Sequence, residues 1–263
     1  MSSSEFTVSM KFASSDVRGI TMGRVHNQGA RDYQEDSFGS SQVKNGAAPE
    51  YGFTAVVADG MGGLSDGAQV SGYVVRSLLE LQKHRDTSVP AHIHLSEAMR
   101  TVNNDILKSG MKGGSTAAAV MCLTSGIYWC TVGDSRVYLF RKGLLTLLNE
   151  DSDYLNRLIE KVISKEMTYE DAVKDSQKDA LTQYMGYKGG IVPDVNCRPL
   201  IPEINDKLLI CSDGVYNAAS AAELSGALAH PAGEAAEIIE KTVLSKKYSN
   251  QDNFTAVVLE FIC

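Results

Sequence analysis

The chain has 263 residues, 43% of them hydrophobic, and a formal net charge of -7 from 25 Lys plus Arg against 32 Asp plus Glu. That is enough apolar material for one large domain or two small ones, while the acidic balance excludes a general affinity for nucleic acid or anionic membrane. No apolar stretch approaches the roughly 20 residues of a membrane-spanning helix, and the five cysteines form no CxxC pair of the zinc-binding kind.

The opening MSSSEFTVSMKF has no basic segment followed by an apolar one, so no signal peptide is read there, and residues 1–10 are expected to be a flexible start that feeds a first strand. YGFTAVVAD (51–59) reads as a buried strand. Residues 65–83 place Val70, Tyr73, Val74, Leu78 and Leu81 on one helical face, and a second helix is expected from Ser96, with Met99, Val102 and Ile106 at helical spacing. His92 and His94 then fall in a loop before that helix and are not read as a metal pair. Between 115 and 148 the pattern changes to a run of antiparallel strands, with turns at Thr124-Ser125-Gly126 and Lys142-Gly143. Residues 152–180 are charged and helix-like, with Thr168 and Asp171 resembling a capping box. KLLICSD (207–213) is another buried strand, Ser220 with Glu223 caps a short helix, 232–246 is an amphipathic helix, and NFTAVVLEFI closes as a strand. Strands clustered in hairpins point to an α+β fold, in one domain over 11–263. GxxxxGK[ST] is absent, and no GxGxxG follows a strand. Cys122, Cys130 and Cys211 lie in apolar runs and behave as small hydrophobes. With Cys197 and Cys263 they make an odd set, as in a reduced, intracellular protein without disulfides.

The anomaly is an acid at the end of a buried run. VVADGMGG (56–63) leads straight into Asp59, and CTVGD and LLICSD do the same for Asp134 and Asp213. Asp252 precedes the last strand, and RDYQED supplies Glu35 and Asp36. Each acid alone is readily a turn residue. Together, if the strand ends converge, they repel one another by about 4 kcal/mol per pair at 4 Å and an effective dielectric of 20. Cations or protons must neutralise them. Oxygen ligands without nearby His or Cys favour Mg²⁺ or Mn²⁺ over zinc, and two ions bridged by one carboxylate can deliver hydroxide for phosphoester hydrolysis.

RDYQED at 31–36, DGMGG at 59–63, GST at 114–116, GDSR at 133–136, SDG at 212–214 and DN at 252–253 stand in the order found in the metal-dependent Ser/Thr protein phosphatases (PPM, type 2C). The chain resembles the bacterial-type members from about Gly19 to Leu259. The resemblance implies an α-β-β-α sandwich of two antiparallel sheets flanked by helices, with a flap at about 149–186. It implies two tightly bound Mn²⁺ or Mg²⁺ ions and a third, weaker one. Asp59 would bridge the pair, Asp213 and Asp252 would complete one ion, and Glu35 and the Gly60 carbonyl would serve the other. Asp36 would hold coordinated water, Asp134 with Asp213 would hold the third ion, Arg31 would bind phosphate, and Asn253 would orient Asp252. Gly114-Ser115-Thr116 and Ser135-Arg136 are expected to buttress the site. Met61 stands where animal members carry a histidine, so water on the metals is the expected leaving-group acid. The implied function is hydrolysis of phosphoserine and phosphothreonine in proteins by a metal-bridged water or hydroxide, in the cytoplasm, by a monomer opposing a cognate Ser/Thr kinase. A hydrolase of small phosphoesters and a non-catalytic binding module are the alternatives. Asp59, Asp213 and Asp252, whose loss would mark the second, are all present.

Overall fold

The structure, a computed structural model, describes residues 6–62 and 66–263. Residues 1–5, the last glycine of DGMGG and the expected helix start at 65 lie outside the described residues. One sheet runs, in spatial order, β1 (Phe6–Ser9), β2 (Gly19–Asn27), β13 (Phe254–Ile262), β12 (Lys207–Cys211), β9 (Arg136–Arg141) and β10 (Leu144–Leu147). The second runs β11 (Asp194–Val195), β8 (Gly126–Val132), β7 (Ala117–Leu123), β4 (Phe53–Ala58) and β3 (Ser37–Ser40), and a short pair joins β5 (Gly60–Met61) to β6 (Gly114–Ser115). All of these pairings are antiparallel. The helices are α1 (Asp66–Lys83), α2 (Ala91–Ser109), α3 (Tyr154–Ile163), α4 (Tyr169–Lys174), α5 (Asp213–Tyr216), α6 (Ala221–Leu228) and α7 (Ala232–Ser245).

Period-two alternation sorts the apolar side chains into three layers, because the central strands are buried on both faces. In β4 and β7, Phe53, Ala55, Val57, Ala118, Val120 and Cys122 point between the sheets, where they meet Leu208, Ile210, Val257, Leu259 and Phe261 of β12 and β13. The opposite faces of β4 and β7 pack Val56, Ala119 and Met121 against Val70, Val74 and Leu78 of α1 and Met99, Val102 and Ile106 of α2. Leu209, Ala256 and Val258 pack outward against α6 and α7. The result is the expected α-β-β-α sandwich.

Several local expectations are corrected. Residues 6–10 are not a loose start: Phe6–Ser9 pairs with β2, and Val8 and Met10 are buried. Pro90 precedes a helix that begins at Ala91, not Ser96; its fixed φ suits a helix entrance. His92 and His94 therefore ride on α2, and Ser96 is a buried interior residue. The 152–180 region divides into α3, capped by the Asp153 carboxylate on the Asn156 amide at 2.8 Å, and α4, capped by Thr168 on Asp171. Strand β2 has no apolar run, since GITMGRVHN is broken by Gly23 and Arg24. It becomes a strand because α7 lies directly on it. A Cβ at Gly23 would run into the Ala232 carbonyl and the Gly233 Cα.

Gly23→Ala should therefore destabilise the fold by about 3 kcal/mol, since the obstructing atoms are backbone and cannot rotate away. Urea denaturation checks this, and a midpoint equal to wild type would mean that α7 shifts freely on the sheet.

Candidate active site

Register gathers the acids. Cys211 pairs with Arg136 on one side and with Ala256 on the other, which brings the start of β9, just after Asp134, the end of β12 and the start of β13 to one edge. Ala58 pairs with Ser37, so Asp59 and Asp36 flank the same rung. A cleft of about 380 Å³ opens at this edge, lined by Arg31, Glu35, Asp59, Gly60, Asp134, Asp213, Asp252 and Asn253, with Thr116, Asp179 and Leu181. Asp36 is buried behind it, 3% exposed.

The charges are close enough to disturb one another. Burial raises Asp59 well above the usual carboxylate range, and Asp36, Asp213, Asp134 and Asp252 add to the shift. Asp36 is pushed up to about 7, first by burial and then by Asp213 and Asp252, against the pull of its hydrogen bonds from Thr255 and Ser212. Burial, then Asp213 and Asp151, push Asp134 up to about 7. Asp213 is raised by burial and by Asp252, and Glu35 by burial before all else.

These residues fit hard cations. The Oε1 of Glu35 and the Oδ1 of Asp36 are buried oxygens without a donor in the protein, a costly state unless something positive faces them. Gly60 is pressed between the Glu35 and Gly67 carbonyls, where a Cβ would collide with both, so its own backbone can sit at the cleft only as glycine. Among the described residues no three acidic, histidine or cysteine side chains form a closed cage for an ion. An ion held here would keep much of its water, as Mg²⁺ and Mn²⁺ do.

The supporting contacts are specific. The Ser212 and Thr255 hydroxyls donate to Asp36 Oδ2 at 2.8 and 2.7 Å, which leaves Oδ1 free. Thr116 Oγ1 accepts from the Asp59 amide at 2.9 Å and bonds Ser135 Oγ at 2.6 Å, the buttress expected of those motifs. Arg31 Nη2 reaches Asp252 Oδ2 at 2.5 Å rather than Asp32 or Glu35. Asn253 orients Asp252 only through its backbone amide, at 2.8 Å. Its side chain instead pins the preceding loop, accepting from the Glu35 amide at 2.7 Å and donating to the Gln28 and Tyr33 carbonyls at 2.8 and 2.9 Å.

Arg136 does not touch Asp134. It forks onto Asp151, with Nη2 to Oδ2 at 2.6 Å and Nε to Oδ2 at 2.9 Å, and its guanidinium lies over the Tyr216 ring at 3.7 Å. The Tyr216 hydroxyl donates to the Asp134 carbonyl at 3.0 Å. Asp151, Tyr216 and Thr255 carry no mark in the sequence, and Ser212 is marked only as a member of the SDG motif, with no role. A hydroxyl or an aromatic ring in a strand or a turn is ordinary, and only the closed sandwich brings them to the acids.

A protein-family model described as Protein phosphatase 2C matches residues 20–157, more than half of the chain. The chain belongs to the protein phosphatase 2C family. It is 28% identical over 241 residues to the serine/threonine phosphatase stp of Listeria monocytogenes, across 88% of this chain and 91% of that one. Its fold is that of the S. agalactiae serine/threonine phosphatase, with a TM-score of 0.77 and 24% identity over 93% of this chain and 100% of the other. It also matches the catalytic domain of the phosphatase PstP in complex with two manganese ions, with a TM-score of 0.69 and 21% identity over 93% and 99% of the two chains.

In this family member the raised acids make stability depend on pH. Asp36 and Asp134 titrate at about 7 in the metal-free fold against 3.8 ordinarily. Between those values the folded chain holds more protons than the unfolded one, so stability falls as pH rises through that window. In EDTA the free energy of urea unfolding should drop between about pH 5 and about pH 8, by a few kcal/mol, with a lower midpoint, and Mn²⁺ should restore it at the higher pH. A midpoint that stays level in EDTA across that range would show the acids to be ionised without cost.

Proposed function

We propose that this phosphatase 2C member hydrolyses phosphoserine and phosphothreonine in proteins, dependent on Mn²⁺ or Mg²⁺. The observation that carries this reading is the convergence of Asp59 with Asp36, Asp134, Asp213 and Asp252, beside the only guanidinium among the described residues lining the cleft, Arg31. Glu35, Asp59, the Gly60 carbonyl, Asp213 and Asp252 would hold two tight ions, and Asp134 with Asp213 a weaker third. When bound, such ions would screen the phosphate and lower the pKa of a shared water.

The protein's own part is positioning. Arg31 holds phosphate oxygens with parallel N–H donors, for which a guanidinium is shaped. Asp36, fixed by Ser212 and Thr255, presents its free Oδ1 to water, and Thr116 fixes the backbone that carries Asp59. No imidazole is among the described lining residues, so water rather than histidine protonates the leaving oxygen. Asp179 and Leu181, from the 149–186 flap, wall one side of the cleft. We take residues 6–263 as one catalytic domain, acting as a monomer against an opposing Ser/Thr kinase. The unpaired Cys122, Cys130, Cys197, Cys211 and Cys263 suit the reducing cytoplasm. Among the described residues no helix is long and apolar enough to cross a membrane.

Turnover of a phosphothreonine peptide should vanish in EDTA and return with Mn²⁺ or Mg²⁺; full activity after exhaustive chelation would overturn the reading. Asp59→Asn should lower kcat by at least about 10³-fold, because an amide lacks the negative charge that would help hold the two cations. A variant within tenfold of wild type would remove Asp59 from that role.

Arg31→Ala should raise KM by about tenfold with kcat little changed, as expected where an interaction is equal in ground and transition states. Unchanged kcat/KM would place Arg31 outside the site.

A further inference from the structure

Arg31 stands on a ridge between two cavities. On one side lies the acidic cleft. On the other lies a second cavity of about 230 Å³, lined by Arg31, Asn217, Tyr248, Asn250, Gln251 and Asp252. Asp179 and Leu181 also line the acidic cleft, and a bridge between Leu181 and Asp153 holds that wall in place. A phosphoresidue whose phosphate rests on Arg31 therefore has its neighbouring residues beside the second cavity, one extended residue being about 3.3–3.6 Å long.

The second cavity has a distinct chemistry. Its charges, Arg31 and Asp252, are paired with each other, and its other named walls are neutral. Tyr248 is 51% exposed and offers a ring face. Gln251 is 8% exposed; its Nε2 donates to the Gly214 carbonyl at 3.1 Å and to the Asp252 carbonyl at 3.3 Å, while its Oε1 is buried without a donor. The cavity thus presents neutral polar walls and two charges that are already paired here and would be engaged by phosphate and ions in the proposed complex. A charged side chain entering it would give up water without gaining a counter-charge, whereas a main-chain N–H with an uncharged side chain loses little.

We propose that this second cavity is a peptide subsite that takes an uncharged residue flanking the phosphoserine or phosphothreonine, and that Tyr248, Asn250 and Gln251 set this preference. It rests on the phosphatase reading and adds to it which protein sites are chosen. Substrates with Glu or Lys in the flanking position are disfavoured by the cavity itself, not by the chemistry in the cleft.

The test compares p-nitrophenyl phosphate with phosphothreonine peptides that carry Ala, Leu, Glu or Lys on either side of the phosphoresidue, with Mn²⁺ present. Wild type should favour an uncharged residue over Glu and Lys on one side by about tenfold in kcat/KM. Tyr248→Ala and Asn250→Ala should each raise KM for the favoured peptide by about tenfold with kcat kept, and leave p-nitrophenyl phosphate within about twofold of wild type. Peptide kinetics unmoved in both variants, or a parallel loss on p-nitrophenyl phosphate, would overturn the subsite while leaving the phosphatase reading intact. Absence of metal-dependent turnover of every substrate by wild type would overturn both.

Discussion

Negative charge packed into a low-dielectric edge is the constraint from which the rest of this structure follows. Asp59, Asp134 and Asp213 each end a strand that is buried on both faces, so the sandwich that supplies the core also delivers the acids to one place. Burial and mutual repulsion then raise Asp36, Asp59, Asp134 and Asp213 together. The chain does not relieve this with lysines. Among the described lining residues the single cation is Arg31, half-exposed and tied to one oxygen of Asp252. The hydroxyls on Asp36 satisfy one oxygen and leave the other bare. A site arranged in this way is completed by what binds it, and its fold and its ligands are thermodynamically linked.

The central strands of the sandwich are legible where burial is two-sided, while the sandwich arrangement comes from the family resemblance. β4, β7, β12 and β13 are continuous apolar runs, and such runs announce a strand without reference to any neighbour. β2 was not legible, because its alternation is interrupted by Gly23, whose purpose is the approach of α7. Pro90 hid the true start of α2, since proline fits a helix entrance as well as a break. β1 has only Phe6 and Val8 to mark its buried face, a short signal in four residues.

The acids were legible for the opposite reason: a carboxylate after a buried run is improbable unless it is used. Their supports were not. Of Thr116, Ser212 and Thr255, only Thr116 was marked as a support, by its motif; Ser212 and Thr255 are small hydroxyls of a kind found throughout strands and turns, and their partner Asp36 lies 176 and 219 residues away in sequence. Asn253 follows Asp252, and its motif implies that it orients that neighbour. Its side chain turns instead to the loop from Gln28 to Glu35, a choice that depends on that loop folding across the end of β13. Local pattern carries no information about such a crossing.

The fork between Arg136 and Asp151 fastens one root of the 149–186 segment to the scaffold, a few residues from Asp134 and against the ring of Tyr216. Beyond that root, α3 and α4 carry exposed apolar residues such as Ile163 and Tyr169 and few buried ones. The segment is therefore attached like an interchangeable fitting. Mutational drift across its helices can accumulate with little effect on the core, while the anchor keeps the root of the segment in a constant position. A graft from a related chain would have its natural seam just outside Asp151.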